Sequence, residues 1–288
     1  MDINRYRARH GDRRILERID TDDTGPFKDK DAAGETIDKG LERLEKRQKL
    51  LYAQDRYSLL LIFQGMDAAG KDHLIRHVMS GIGPQATEVH SFKQPSAEEL
   101  QHDFLWRAVK ALPARGHIGV FNRSYYEEVL VVRVHRKLLD AEHLPAELVT
   151  KKIWDERFED ITAFERYLTR NGTVVRKFYL HVSRGEQRKR LLERLDDPSK
   201  NWKFSESDIL EREDWNAYRR AAAEAIAATS HRHAPWYVVP ADHKWFAHAL
   251  VAEIIVRTLD ELDLSYPPLD KAQRRALEKA RRKLGRSA

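Results

Sequence analysis

The chain has 288 residues, enough to bury a full-sized core, and it contains no cysteine, which excludes disulfides and thiolate catalysis. Its longest apolar run, around Leu59 to Phe63, is far too short to span a bilayer and no early stretch resembles a signal peptide, so a cytoplasmic protein without a membrane partner is expected. The formal charge of +6 is concentrated at the end: from Lys271 onward eight Lys and Arg face one acid, Glu278, leaving the body near neutral and giving no reason to expect a nucleic-acid partner.

Residues 1–35 are polar and rich in Asp and Arg, with Thr24, Gly25 and Pro26 as breakers, and are predicted to form an N-terminal arm rather than core. The body is expected over 36–268. It opens with a helix over 39–52, where Leu41, Leu44, Leu50 and Leu51 recur among charges at helical spacing. Strands are predicted at 58–64, 117–121, 174–182 and 236–239, with helical stretches between them. That order predicts an α/β fold with a central parallel sheet, whose ligands collect at the carboxyl ends of the strands. Residues 269–288 are predicted to be a basic, solvated helical tail with no catalytic role.

Gly65-Met66-Asp67-Ala68-Ala69-Gly70-Lys71 has the Gly, four residues, Gly-Lys pattern directly after the first strand and before a helix. The glycines permit a backbone that turns N–H groups inward around phosphate oxygens, and Lys71 adds a point charge. Gly65, Ala68, Ala69, Gly70 and Asp72 are therefore candidate phosphate-binding residues. Asp72 stands where Ser or Thr usually helps hold Mg²⁺. A carboxylate beside phosphates repels them unless a metal stands between, so Asp67 is expected to hold Mg²⁺, with Mn²⁺ as an alternative. A turn-forming Asp is the competing reading.

The second strand ends at Asn122-Arg123-Ser124-Tyr125-Tyr126-Glu127-Glu128. Asn122 occupies a place where such enzymes usually carry an acid, so Glu127 or Glu128 would supply the missing carboxylate, and Arg123 would clamp phosphate oxygens. Glu128 is expected on a solvated helix face. After the third strand, Arg184 with Arg188 and Arg190 with Arg194 are each four apart, and Leu191, Leu192 and Leu195 are expected to face inward. With the polar turn from Asp196 to Lys203, residues 184–215 have the composition of a cationic lid, although spacing alone describes a plain exposed helix equally well.

Seven segments in one order resemble the polyphosphate kinase 2 family, in particular its single-domain branch acting on nucleoside mono- and diphosphates: GMDAAGKD at Gly65, SFKQPS at Ser91, HDFLWR at His102, FNRSYYEEVLVVRVH at Phe121, KFYLHVS at Lys177, RLDDPSKNWKF at Arg194 and HAPWYVVPADHKWF at His233. The resemblance implies a P-loop kinase-like three-layer sandwich with a helical lid and a homodimer or homotetramer. It also implies divalent-metal-dependent transfer between inorganic polyphosphate and purine nucleotides such as AMP, ADP, GMP or GDP. By motif it implies catalytic roles for Asp67, Lys71, Asn122, Arg123 and Glu127, with Asp67 and Glu127 as metal ligands. Lys93, Arg133, Arg194, Lys200 and Lys203 would be further polyanion contacts. His73 and Leu74 depart from the Gly and Thr expected after GKD. Two other readings are an ATP-dependent nucleotide kinase of thymidylate or adenylate kinase type and a non-catalytic polyanion binder.

Overall fold

The computed structural model describes residues 1–285, without the side chains of Lys203 and Ser207. Five strands, β1 (Ser58–Gly65), β2 (Thr87–Ser91), β3 (Ile118–Asn122), β4 (Thr173–His181) and β5 (Trp236–Pro240), form one parallel sheet in the order β2-β3-β1-β4-β5. The central strand β1 is apolar without alternation because helices cover both faces. The predicted strands match β1, β3, β4 and β5. Strand β2 was not foreseen: it pairs only with β3 at the sheet edge, and its Thr, Glu and His residues leave it mostly exposed.

Seven helices of eight residues or more are described: α1 (Lys30–Gln54), α2 (Lys71–Met79), α3 (Ile153–Arg170), α4 (Arg184–Asp196), α5 (Trp215–Thr229), α6 (Lys244–Asp260) and α7 (Lys271–Leu284). Helices α1, α2 and α6 pack together on one face of the sheet, while α3, α5 and a wide turn at Glu128–Val132 cover the other, so the fold is the three-layer P-loop kinase-like sandwich. Helix α1 begins well before residue 39, because the Asp29 side chain accepts the Ala32 N–H at 2.9 Å and Ala33 and Ile37 seat against Ala249. It ends where Asp55 takes a left-handed conformation, φ 51°.

The first residues correct the reading of an arm outside the core. Ile3, Tyr6, Ala8, Ile15, Leu16 and Ile19 are all buried. Arg7 bridges Tyr237 in antiparallel sense, the Ala8 N–H donates to the Trp236 carbonyl at 2.9 Å, and Ser230 Oγ donates to the Ala8 carbonyl at 2.8 Å. This segment thus covers the outer edge of β5, an edge that would otherwise present unpaired backbone groups. At the other end α7 is closed by a capping box between Asp270 and Gln273, and each of its residues is exposed, as predicted for a solvated extension. Among the described residues no helix is long and apolar enough to cross a membrane.

Buried imidazoles link this fold to pH. His181, at the end of β4, is 7% exposed, and burial, aided by the nearby Arg219, pushes its pKa down to about 4. The folded protein therefore keeps it neutral while the unfolded chain takes up a proton as pH falls through about 6.5. Stability is lost in that window, by about 2 kcal/mol at pH 5 from this group alone. His248, pushed down to about 3 by burial and by His77 and His73, acts with the same sign. Urea titrations at pH 7 and pH 5 are expected to show the loss, reduced in His181→Gln. An identical pH dependence in the two proteins would refute the assignment to His181.

Candidate active site

The loop from β1 to α2 lies at the carboxyl end of the sheet, between the ends of β3 and β4. Gly65 and Gly70 have φ of 151° and 103°, and a Cβ on Gly65 would lie 2.9 Å from the Leu180 carbonyl oxygen, so the close approach of β4 requires glycine there. The Lys71 side chain folds back over the loop, its Nζ donating to the carbonyls of Gly65 at 2.7 Å and Met66 at 3.3 Å. Burial pushes its ammonium below the ordinary lysine range and Arg123 adds repulsion, while Asp67, Glu127 and Asp72 pull the other way.

Arg123 follows β3 directly, in the left-handed region at φ 63°, an arrangement that costs a non-glycine residue about 1 kcal/mol or more. This conformation turns its guanidinium across the site, where Nη2 donates to Asp67 Oδ1 at 2.7 Å and Nη1 to Glu127 Oε2 at 3.2 Å. Asp67, Arg123 and Glu127 therefore meet, and the two carboxylates could share a divalent cation. Asn122 Nδ2 donates to Asp72 Oδ1 at 2.6 Å, which ties the start of α2 to the end of β3. His73, which departs from the family pattern, points away from the loop: its Nδ1 lies 3.0 Å from His248 Nε2 on α6, and Leu74 is buried.

Arg123 and Glu127 stand between two hollows. A narrow one of about 50 Å³ lies against Gly65, Met66 and Asp67, and a larger one of about 570 Å³ extends toward Phe104, Leu138 and Lys93. Lys93 is exposed at the rim of the larger hollow, its carbonyl accepting Arg107 Nη1 at 2.8 Å. Glu128 is a correction. Instead of facing solvent it is buried in the wall, 3.2 Å from Arg157 Nε, and burial together with Glu142 pushes its pKa up to about 8 against the pull of Arg157.

The other cations divide. Arg194 Nη1 pairs with Asp208 Oδ2 at 2.7 Å, and Asp208 in turn feels Asp67, Arg123 and Lys71, so this pair belongs to the neighbourhood of the loop. Arg133 is not brought there: it pairs with Glu224 on α5 and lies over Phe158. Lys200 pairs with Asp197 at 3.0 Å on an exposed turn, and the Lys203 side chain lies outside the described residues. On α4, Leu191 is buried but Leu192 and Leu195 are exposed, correcting the inward set. Arg190 is no surface cation either; it is 6% exposed and bonded to backbone carbonyls beneath the loop. Sequence reasoning missed Tyr218 and Glu211, hydrogen-bonded to each other on the wall of the narrow hollow, because neither sits in a motif.

The sequence profile described as "Polyphosphate kinase 2 (PPK2)" matches residues 27–266. The chain is 51% identical over 259 residues to the ADP-polyphosphate phosphotransferase of Rhodopseudomonas palustris, covering 90% of each chain. It is 44% identical to the AMP/ADP-polyphosphate phosphotransferase of Meiothermus ruber, covering 92% of this chain and 96% of that one. The crystal structure of polyphosphate kinase 2 from Arthrobacter aurescens superposes with a TM-score of 0.82 at 39% identity, covering 91% of each chain.

Proposed function

The chain belongs to the polyphosphate kinase 2 family, and from that membership we propose that it moves a phosphoryl group directly between inorganic polyphosphate and a nucleoside mono- or diphosphate, forming ADP or ATP. The observation that carries this reading is the meeting of Asp67, Arg123 and Glu127 beside the phosphate loop, at the neck joining the two hollows. A phosphoryl group passing between two phosphate chains needs such a neck, with cations on it and water kept away.

The loop N–H groups and Lys71 hold the phosphates, and Arg123 places its planar fork against the group in transfer. No general base is required, because the attacking phosphate oxygen is already ionised near neutral pH. The carboxylates of Asp67 and Glu127 fit Mg²⁺, since they are hard oxygen donors on one side of the loop. Two carboxylates would leave positions for the waters and phosphate oxygens that such an ion keeps. When bound, the ion would neutralise charge on the phosphate oxygens. Lys71, Asn122 and the Arg194 neighbourhood complete the reading.

The test is ATP formation by purified protein supplied with Mg²⁺, polyphosphate and either ADP or AMP. ATP is expected from polyphosphate as donor. Phosphorylation of a nucleoside monophosphate by ATP, with none by polyphosphate, would replace this reading with that of an ordinary nucleotide kinase. Removal of residues 270–288 is expected to leave turnover within about twofold, because each described residue of α7 is exposed. Loss of activity on that truncation, with folding intact, would move the tail into the machinery.

A further inference from the structure

A loop that aims N–H groups at phosphates must turn its carbonyls outward, and buried carbonyls need donors. In this chain each carbonyl from Gly65 to Gly70 has one. Lys71 Nζ serves Gly65 and Met66, and the Leu74 N–H serves Gly70 at 3.0 Å. The three between them are served from α4: Gln187 Nε2 donates to Asp67 O at 2.9 Å, and Arg190 Nη1 donates to Ala69 O at 2.8 Å and to Ala68 O at 3.3 Å. The other arm of the same guanidinium, Nη2, donates to Ala241 O at 2.6 Å and Asp242 O at 3.1 Å just beyond β5, while Nε pairs with Glu186 at 2.8 Å. On the opposite side of the loop, the N–H groups of Asp67, Ala68 and Gly70 donate to no acceptor among the described residues.

We propose that Arg190, assisted by Gln187, is the positioning residue of the phosphate loop: it pins three loop carbonyls outward so that the intervening N–H groups converge on phosphate oxygens. The inference rests on the phosphoryl-transfer reading above. One planar fork serves the loop, the turn after β5 and Glu186 at once, with more bonds than the three donors of an ammonium can supply. Glu186 on the same helix offsets the buried charge. The root of α4 is thereby fixed to the loop and moves with it, so any closing motion of the following segment starts beyond Arg190. Arg188, two residues away and exposed, does none of this.

The test compares Arg190→Met, Arg190→Lys, Gln187→Leu and, as control, Arg188→Met, measuring kcat, KM, thermal midpoint and tripolyphosphate binding by calorimetry. Arg190→Met is expected to lower kcat at least thirtyfold and tripolyphosphate affinity at least tenfold. Arg190→Lys should restore the thermal midpoint, through Glu186, without restoring kcat, a split that a merely structural role would not produce. Gln187→Leu should fall three- to tenfold, and Arg188→Met should match the wild type. If Arg190→Met fails to fold, the lysine and Gln187 variants decide. Folded Arg190→Lys with kcat and affinity within threefold of the wild type would overturn the proposal. Wild-type protein that binds tripolyphosphate but transfers nothing would sink the functional reading alone, since the variants' affinities still score the positioning role; no binding by any of them would overturn both.

Discussion

Lys71→Ala is expected to lower the rate of phosphoryl transfer about a thousandfold, which corresponds to about 4 kcal/mol of lost transition-state stabilisation. The magnitude follows from where the ammonium sits. It is buried, it is held to the loop by the Gly65 and Met66 carbonyls, and it faces the side on which Asp67, Arg123 and Glu127 meet. Charge that develops on a transferring phosphoryl group there has little water to screen it, so a fixed cation counts for more than it would at the surface. Initial rates at saturating polyphosphate and nucleotide, with a thermal melt to establish folding, check the expectation. A folded variant within tenfold of wild type would remove Lys71 from the transfer step.

The second large effect concerns stability. Lys177 of β4 and Glu165 of α3 are both fully buried, 2.5 Å apart. Burial pushes the lysine's pKa down and the glutamate's up, while their mutual attraction opposes both shifts. What makes the pair tolerable is complete hydrogen bonding. Lys177 Nζ also donates to the Tyr126 hydroxyl at 2.9 Å and the Thr229 carbonyl at 2.8 Å, and Glu165 Oε1 accepts from Tyr125 at 3.0 Å and Tyr126 at 2.9 Å. Lys177→Met leaves the carboxylate without its counter-charge and is expected to cost roughly 3–5 kcal/mol. A chain of this size would then melt about 10 °C lower.

The pH dependence of that variant has a definite sign. With the lysine gone, the folded pKa of Glu165 lies further above its unfolded value, so stability is retained at low pH and lost as pH rises through the folded pKa. Adding Glu165→Gln should recover much of the loss and flatten the profile. Calorimetric melts of the single and double variants measure it, and a single variant within 1 kcal/mol of the wild type would mean that the pair contributes little.

The readable and unreadable parts of the chain differ in how far their causes lie along it. Strand β1 and its loop were legible because burial on both faces demands an unbroken apolar run and phosphate geometry demands Gly65, Gly70 and Lys71 at fixed spacing. Strand β2 was not, because a half-solvated edge strand needs no apolar pattern. Ile3, Tyr6, Ile15 and Leu16 looked incidental among charges, since the surfaces that bury them belong to α5, β5 and α6, more than 190 residues further along the chain. Among the cations, Arg123 directly follows a strand, so its place beside the loop could be read from the sequence. Arg133, Arg190 and Arg194 meet Glu224, the loop carbonyls and Asp208 respectively, partners fixed only by tertiary packing.

The pairing of the amino-terminal segment along β5 also sets an order of events during synthesis. Ala8 and Ser230 are 222 residues apart, so the first segment leaves the ribosome long before its partner exists. At about 5–20 residues per second the wait is roughly ten to forty-five seconds. Throughout it, Ile3 and Tyr6 lack the surface of β5 and α6 that covers them in the folded chain. A nascent chain stalled before residue 230 therefore leaves this segment without its partner and β4 without its outer neighbour.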